Sequence, residues 1–309
     1  MRARLSGLFE KPPLSFVKRK VDEFTIVARN RHRPSQQEKI AELLEEDEFL
    51  LIIFDACRFD YFEETYASYY TGDLQTVHTT NTYTKQYQQT TWPDEYDLTY
   101  VAGGPVISDK NFELSDLSYR PSEHFAEIIH AWDTGFEKEL GVTPPEAVTE
   151  VVLECNAPRV LVHYFQPHAP YIGDVRLRND PVDEATSPES KIETRVESLK
   201  EIYDRIESGE IDEGTLREAY VSNLERVMEA AKPLVDEYDR RTAITSDHGE
   251  LLGEDGRYLH GGFPHPILCE LPWLEVDDTV GDVTELKTDM TETESDRSVK
   301  KQLQDLGYM

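Results

Sequence analysis

The run Ser246-Asp247-His248-Gly249 sets a carboxylate beside an imidazole directly after the stretch Thr242-Ala243-Ile244-Thr245, and a second His-Gly pair follows at His260-Gly261. Carboxylate oxygens and imidazole nitrogens are ligands for Mg, Mn, Ca or Zn, and two of them side by side at a strand end can serve one ion. Asp55 closes another apolar run, Phe49-Leu50-Leu51-Ile52-Ile53-Phe54. By itself a carboxylate in that place is as readily a helix N-cap as a metal ligand. His168 follows a third run, Arg159-Val160-Leu161-Val162-His163-Tyr164-Phe165. Asp55, His168, Asp247 and His248 therefore all stand just past apolar segments. Open, mainly parallel sheets bind their ligands there, beyond the carboxyl ends of the strands.

The elements that would position these residues can be read from pattern. Ser35-Gln36-Gln37-Glu38 has the form of a capping box, and Ile40, Leu43 and Leu44 follow at helical spacing. The run 49–54 is short and continuous and contains the β-branched Ile52 and Ile53, which predicts a strand buried on both faces. Residues 98–102, 159–165, 242–245 and 271–276 read as further strands. Thr143-Pro144-Pro145-Glu146 starts a helix with proline in its first turn, carrying Ala147, Val148, Val151, Val152 and Leu153. Residues 188–239 read as mostly helical, with a break near Gly209 and Gly214. Strands alternating with helices predict an α/β fold with a mainly parallel central sheet and helices on both faces. Residues 1–34 read as a basic amphipathic extension, 35–276 as the folded domain and 277–309 as an acidic, Thr-rich tail.

Composition narrows the function. The 309 residues hold 62 acids against 32 Lys and Arg, a formal net charge of −30, so a nucleic-acid partner is not expected. So acidic a surface suits a protein that stays solvated in concentrated salt, and we read it as belonging to a halophilic cytoplasm. Basic residues gather at the start: Arg2, Arg4, Lys11, Lys18, Arg19, Lys20, Arg29, Arg31 and Arg33. Interleaved with Leu8, Phe9, Leu14, Phe16, Val17 and Phe24, they suit either an anionic membrane surface or the chain's own acidic body. Cys57, Cys155 and Cys269 are scattered, without Cys-x-x-Cys spacing, which fits a reducing compartment. No apolar run is long enough to span a membrane, and residues 1–20 lack the apolar core of a secretion signal. The expected location is cytoplasmic, with peripheral contact at the inner membrane face through the basic start.

The segments "LIIFDACRFD" (51–60), "HYFQPHAPY" (163–171), "SDHGELLGE" (246–254) and "ELPWLEV" (270–276) together resemble the alkaline phosphatase superfamily in its sulfatase-like branch. The resemblance spans roughly residues 48–276, and its wording is closest to sulfatase-like proteins of haloarchaea. It implies an alkaline-phosphatase-like fold. It also implies a divalent metal held by Asp55, Asp247, His248 and the nucleophile, which caps a helix after the first strand–helix unit. Within "TVHTTNTYTKQYQQTTW" (76–92), Thr79, Thr80, Thr82 and Thr84 are available. Thr82 fits the family's small-residue-Asn-Thr pattern and is the expected nucleophile and metal ligand, with Thr80 next and Lys85 beside it as a substrate contact. Related sequences place Pro and an acid after the Thr, where Tyr83 and Thr84 stand here.

The resemblance gives His168 the role of substrate contact and proton donor, and His260 that of an anion contact. His163 reads as a core or supporting group, His265 as loop structure, and Arg58 with Asp60 as a structural ion pair. Formylglycine-dependent sulfatases need Cys-x-Pro-x-Arg, which none of the three cysteines satisfies. No Asp-x-x-x-His supplies a second metal set, and neither Asp174 nor Asp180 has the spacing, so one metal is firm and a second open. The expected function is a metal-dependent hydrolase or transferase of phosphoesters, diesters among them, acting on an anionic ester through a Thr nucleophile. Two alternatives remain beside it: a non-catalytic binding or scaffold protein of cell-surface glycan metabolism, and a sulfatase that dispenses with formylglycine.

Overall fold

Every residue of the strand β1 (Phe49–Asp55) is buried, as a strand covered on both faces must be. The structure is a computed structural model that describes residues 20–22, 25, 26, 28–109, 119–177, 202, 204–206 and 208–281. In chain order the strands after β1 are β2 (Tyr70–His78), β3 (Tyr96–Ala102), β4 (Phe125–Ile129), β5 (Arg159–Pro167), β6 (Arg241–Thr245), β7 (Leu251–Leu252), β8 (Tyr258–Leu259) and β9 (Glu270–Thr279). The helices used below are α1 (Gln36–Leu43), α2 (Phe59–Thr65), α3 (Thr84–Thr91), α4 (Ala131–Thr134), α5 (Pro145–Leu153), α6 (Glu213–Glu237) and α7 (Pro266–Cys269), and further helical residues lie among 20–30 and 202–206.

Seven strands form the central sheet in the order β2-β9-β6-β1-β5-β3-β4. The strands from β6 to β4 run parallel, and β9 pairs antiparallel with both β6 and β2. β1 lies between β5 and β6, with Ile53 level with both His163 and Thr245. That register brings the carboxyl ends of the three strands together, which converts three distant segments into one site.

Alternate residues of β1 supply two cores. Leu50, Ile52 and Phe54 pack with Phe62 of α2, Val148 and Val152 of α5, and Leu224, Val227 and Met228 of α6. Phe49, Leu51 and Ile53 pack with Ile40 and Leu43 of α1, Tyr87 of α3, Trp92 and Trp132. The helices thus cover both faces, as the alternation of elements predicts. The α1 capping box forms, with Glu38 N–H donating to Ser35 Oγ and Ser35 N–H donating to Glu38 Oε2.

The expected break near Gly209 and Gly214 is present at 208–212, between the helical residues 204–206 and the start of α6. Gly214 is the second residue of the 25-residue helix α6, because Asp212 caps its start by accepting from the Thr215 N–H. Gly209 does turn the chain, with φ +77°. Residues 188–199 and Asp180 lie outside the described residues, as do 1–19 and 282–309. The last strand runs on to Thr279, three residues into what the sequence marks as tail. At the other end, Ile26 packs beside Leu251, Leu268 and Cys269, and Arg29 and Arg33 both reach Glu270, at 3.3 and 3.2 Å. This stretch of the basic start lies on the chain's own acidic body. No helix of the described residues is long and apolar enough to cross a membrane.

Candidate active site

At the end of β1 the chain must turn sharply, and Ala56 takes a left-handed conformation with φ 60°, which costs a residue with a Cβ about 1 kcal/mol. The turn is held from several sides. Ala56 N–H donates to Asp247 Oδ1 (3.0 Å), Cys57 N–H to Ser246 Oγ (2.8 Å), and Tyr220 Oη of α6 donates to the Ala56 carbonyl (2.7 Å). At the end of β6, Asp247 Oδ1 also accepts from the His248 N–H (3.0 Å). Asp247 Oδ2 is buried and has no hydrogen-bond partner. His248 Nδ1–H donates to the Gly249 carbonyl (2.9 Å), which leaves Nε2 as the lone-pair nitrogen. Gly249 is obligatory, since a Cβ there would stand 2.0 Å from the Ile267 carbonyl oxygen.

Asp55, Asp247 and His248 come together as expected. His248 Nε2 is 3.3 Å from Asp247 Oδ2 and 3.7 Å from Asp55 Oδ1. A fourth polar group, Thr84, adjoins these three. Its Oγ1 lies 3.4 Å from His248 Nε2 and 3.5 Å from Asp55 Oδ2. Ligand atoms bound tetrahedrally to one ion at about 2.0–2.2 Å stand about 3.3–3.6 Å apart. Three of these separations fall in that range and the fourth, from His248 Nε2 to Asp55 Oδ1, lies just above it at 3.7 Å, and the buried Asp247 Oδ2, which no hydrogen bond satisfies, is a group that a cation would satisfy. The donor set fits a divalent metal.

The sequence points to Thr82 for this fourth position, and the structure differs by two residues. Thr82 Oγ1 is 3.3 Å from Gln86 Oε1, to which Thr82 N–H also donates. Tyr83 is extended and serves as N-cap, so α3 begins at Thr84, and that first helical residue faces the strand ends. Tyr83 makes no side-chain capping bond, so the helix start suits an anion. Asn81, fully buried, ties the preceding loop to α3 by accepting from Thr90 Oγ1 (2.6 Å) and donating to Thr91 Oγ1 (3.2 Å). Lys85 is the second residue of α3.

A second polar group adjoins the first. One ligand atom each of His168, Glu250 and His260 lies within 4.8 Å of the others. The His260 ring centroid is 4.3 Å from that of His248 and 5.1 Å from that of His168. His168 Nδ1–H donates to the Ala169 carbonyl (2.6 Å), and His260 Nδ1 meets Glu250 Oε2 (3.0 Å). Proton exchange or ligand binding therefore falls to Nε2 of both rings. The His168 loop is pinned by buried Asn223 of α6, whose Nδ2 donates to the carbonyls of Pro167 (3.0 Å) and His168 (3.1 Å).

Burial pushes the His248 imidazole below its ordinary pKa, against the pull of Asp247. Burial would raise the Asp247 carboxyl. His248, His163, the Ala56 N–H and the Thr84 hydroxyl together outweigh it and hold that carboxyl below its ordinary value. Both groups thus favour the neutral imidazole and the carboxylate that a metal needs. Burial raises the thiols of Cys57, well above the usual value, and of Cys269, to about 11, so neither is an activated nucleophile.

Arg58 forms the expected ion pair with Asp60 (2.7 Å) and adds one to Glu254 (2.7 Å). His265 caps α7 by accepting from the Ile267 N–H (3.2 Å). Asp174 is exposed. Asn223 and Tyr100 were not singled out by sequence, and Glu250 entered there only as part of the Asp247-His248 motif, without a role of its own. Glu250 had a signal, its place two residues after His248, whereas Asn223 and Tyr100 lie in long periodic segments where nothing marks them.

No protein-family model matches the chain, and no curated protein matches it. Solved structures do. The chain is similar to the C-terminal periplasmic domain of EcEptC from Escherichia coli in complex with Zn, at 14% identity over 75% of this chain and 74% of that one, with a TM-score of 0.41. It is similar to a phosphonate monoester hydrolase from Silicibacter pomeroyi, at 12% identity over 75% of this chain and 68% of that one, TM-score 0.40. It is also similar to a protein in the alkaline phosphatase superfamily from Vibrio parahaemolyticus, at 9% identity over 75% and 61%, TM-score 0.36.

Proposed function

We propose that the chain is a metal-dependent enzyme that hydrolyses or transfers phosphoesters, diesters among them, with Thr84 as nucleophile. The observation that carries this reading is the Thr84 hydroxyl, 3.4 Å from His248 Nε2 and 3.5 Å from Asp55 Oδ2 at the start of α3. A divalent ion held by Asp55, Asp247, His248 and Thr84 would favour the alkoxide of Thr84 and offset charge on the transferring group. Thr84 Oγ1 forms a bond to phosphorus as the bond to the ester oxygen breaks, and the departing oxygen takes a proton. His168, through Nε2, is suited to supply that proton, and His260 to hold a phosphoryl oxygen, with Lys85 next to the nucleophile as a further anion contact. Water or an acceptor alcohol then attacks the phosphothreonine, the Thr84–phosphorus bond breaks, and the hydroxyl is restored. Water as acceptor makes the enzyme a hydrolase, and an alcohol makes it a transferase.

The test is turnover of an aryl phosphate monoester, an aryl phosphodiester and an aryl sulfate in molar KCl with Mn, Mg, Ca or Zn. We expect metal-dependent phosphoester turnover that falls about a thousandfold or more in Thr84→Ala and in Asp247→Asn. Thr82→Ala should stay within a few-fold of the parent. The reverse ranking of the two threonines would return the nucleophile to Thr82. Turnover of the sulfate alone would overturn the phosphoester reading. Bound metal without turnover of any ester or transfer to any alcohol would favour a binding role.

A further inference from the structure

His163 is the one histidine of the described site that sits in the middle of a central strand, yet it is not an inert core residue. Its ring is 1% exposed. It stands edge-on to Tyr87, with centroids 6.1 Å apart, and parallel to Tyr100, at 6.2 Å. Nδ1 lies 2.7 Å from the Tyr100 hydroxyl. Nε2 has no hydrogen-bond partner. It lies 3.7 Å from Asp247 Oδ2 and 3.9 Å from Asp55 Oδ2.

The choice of tautomer follows from the neighbours. Burial keeps the Tyr100 phenol protonated, so its O–H is available to donate to Nδ1. The ring proton then belongs on Nε2, which faces two carboxylate oxygens. The other tautomer would make the Tyr100 oxygen the acceptor and aim the Nε2 lone pair at both carboxylates, which is the unfavourable arrangement. His163 is not itself a ligand of the set: the atoms of Asp55, Asp247 and His248 lie mutually within 4.8 Å, and His163 is not part of that group. It approaches the two carboxylates from within the sheet, whereas Thr84 comes from a helix on its face.

We infer that Tyr100 and His163 form a positioning pair, in which the phenol fixes the tautomer and the Nε2–H lies between Asp55 Oδ2 and Asp247 Oδ2, presetting both carboxylates for the metal. The inference rests on the metal reading above. At 3.7 and 3.9 Å the N–H makes no direct hydrogen bond, and its dipole favours both carboxylates without adding a charge that would repel a cation. A lysine or arginine in the same place would attract the carboxylates more strongly and oppose the ion.

The test uses the full chain and Co²⁺ as probe, with affinity from competition against a chromophoric chelator and geometry from the visible Co²⁺ spectrum. His163→Phe keeps an aromatic ring and removes the N–H, and we expect a 10- to 100-fold loss of Co²⁺ affinity. Tyr100→Phe should lose less, and His163→Gln, which retains an N–H donor, should recover part of the affinity. Ring ¹⁵N shifts should show His163 neutral with the proton on Nε2. A role in packing alone would lower the melting temperature in chelator and leave Co²⁺ affinity and spectrum unchanged, and that outcome overturns the inference. So does an Nδ1–H tautomer. If His163→Phe does not fold, Tyr100→Phe decides by the same two readouts. Parent protein that takes up no Co²⁺ overturns the metal reading itself. Uptake by the parent that is matched in His163→Phe overturns only the positioning pair.

Discussion

Thr82 and Thr84 are separated by one residue, and that residue decides which of them meets Asp55 and His248. Tyr83 is extended, with φ −167° and ψ 156°, so the helix starts one residue later than a cap at Thr82 would allow. The chemistry at this site depends equally on which groups stay uncharged. Burial lowers His163 to about 4 and lowers His248 as well. The unfolded chain protonates both near pH 6.5 while the native chain does not, so below that pH the unfolded state binds more protons. The stability is therefore present above pH 6.5 and is lost as pH falls from there toward 4. His163 alone accounts for about 3 kcal/mol of it. In metal-free protein, the melting temperature should drop steeply between pH 7 and pH 5, and His163→Phe should flatten that drop. A parent protein equally stable at both values would show that these imidazoles do not remain neutral on folding.

Elements matter here by what they hold at their ends. β1, β5 and β6 are adjacent and parallel, so Asp55, His168 and Asp247-His248 leave the sheet at one edge. α6 crosses behind that edge and fixes two of its turns. Tyr220 donates to the Ala56 carbonyl and accepts from the Arg58 N–H (2.9 Å). One turn away, Asn223 donates to the carbonyls of Pro167 and His168 and accepts from the Ile172 N–H (3.0 Å). Asn223→Ala would leave several buried backbone groups without partners, at a cost of about 1–3 kcal/mol. We expect a melting temperature lower by several degrees, and a loss of turnover larger than any change in metal affinity, because the His168 loop and not the metal ligands is released. A calorimetric scan and a metal titration on the same variant separate the two. Unchanged turnover would mean that His168 does not need this support.

For the whole molecule, the formal charge of −30 is the dominant electrostatic fact. Self-repulsion at that density is long-ranged in dilute buffer, and the screening length falls from about 10 Å at 0.1 M salt to about 3 Å at 1 M. The melting temperature should therefore rise by several degrees between 0.1 and 2 M KCl. A flat or falling profile would argue that the charge is already compensated in the fold. Read from sequence alone, the α/β class, the central strands, the capping box at Ser35 and Glu38, and the meeting of Asp55 with Asp247 and His248 at one edge of the sheet were all legible. Each is announced locally: a buried parallel strand is a continuous apolar run, and a polar residue that ends it must lie at the sheet's edge. The edge strands β2 and β4 were not legible, since only half of such a strand is buried and its pattern merges with that of a loop. Nor were Thr84, Asn223 and the pairing of Tyr100 with His163. Those depend on the residue at which α3 starts, on which face of a 25-residue helix meets the His168 loop, and on the register that sets β3 beside β5. Packing between distant segments decides such matters, and no local pattern of residues encodes them.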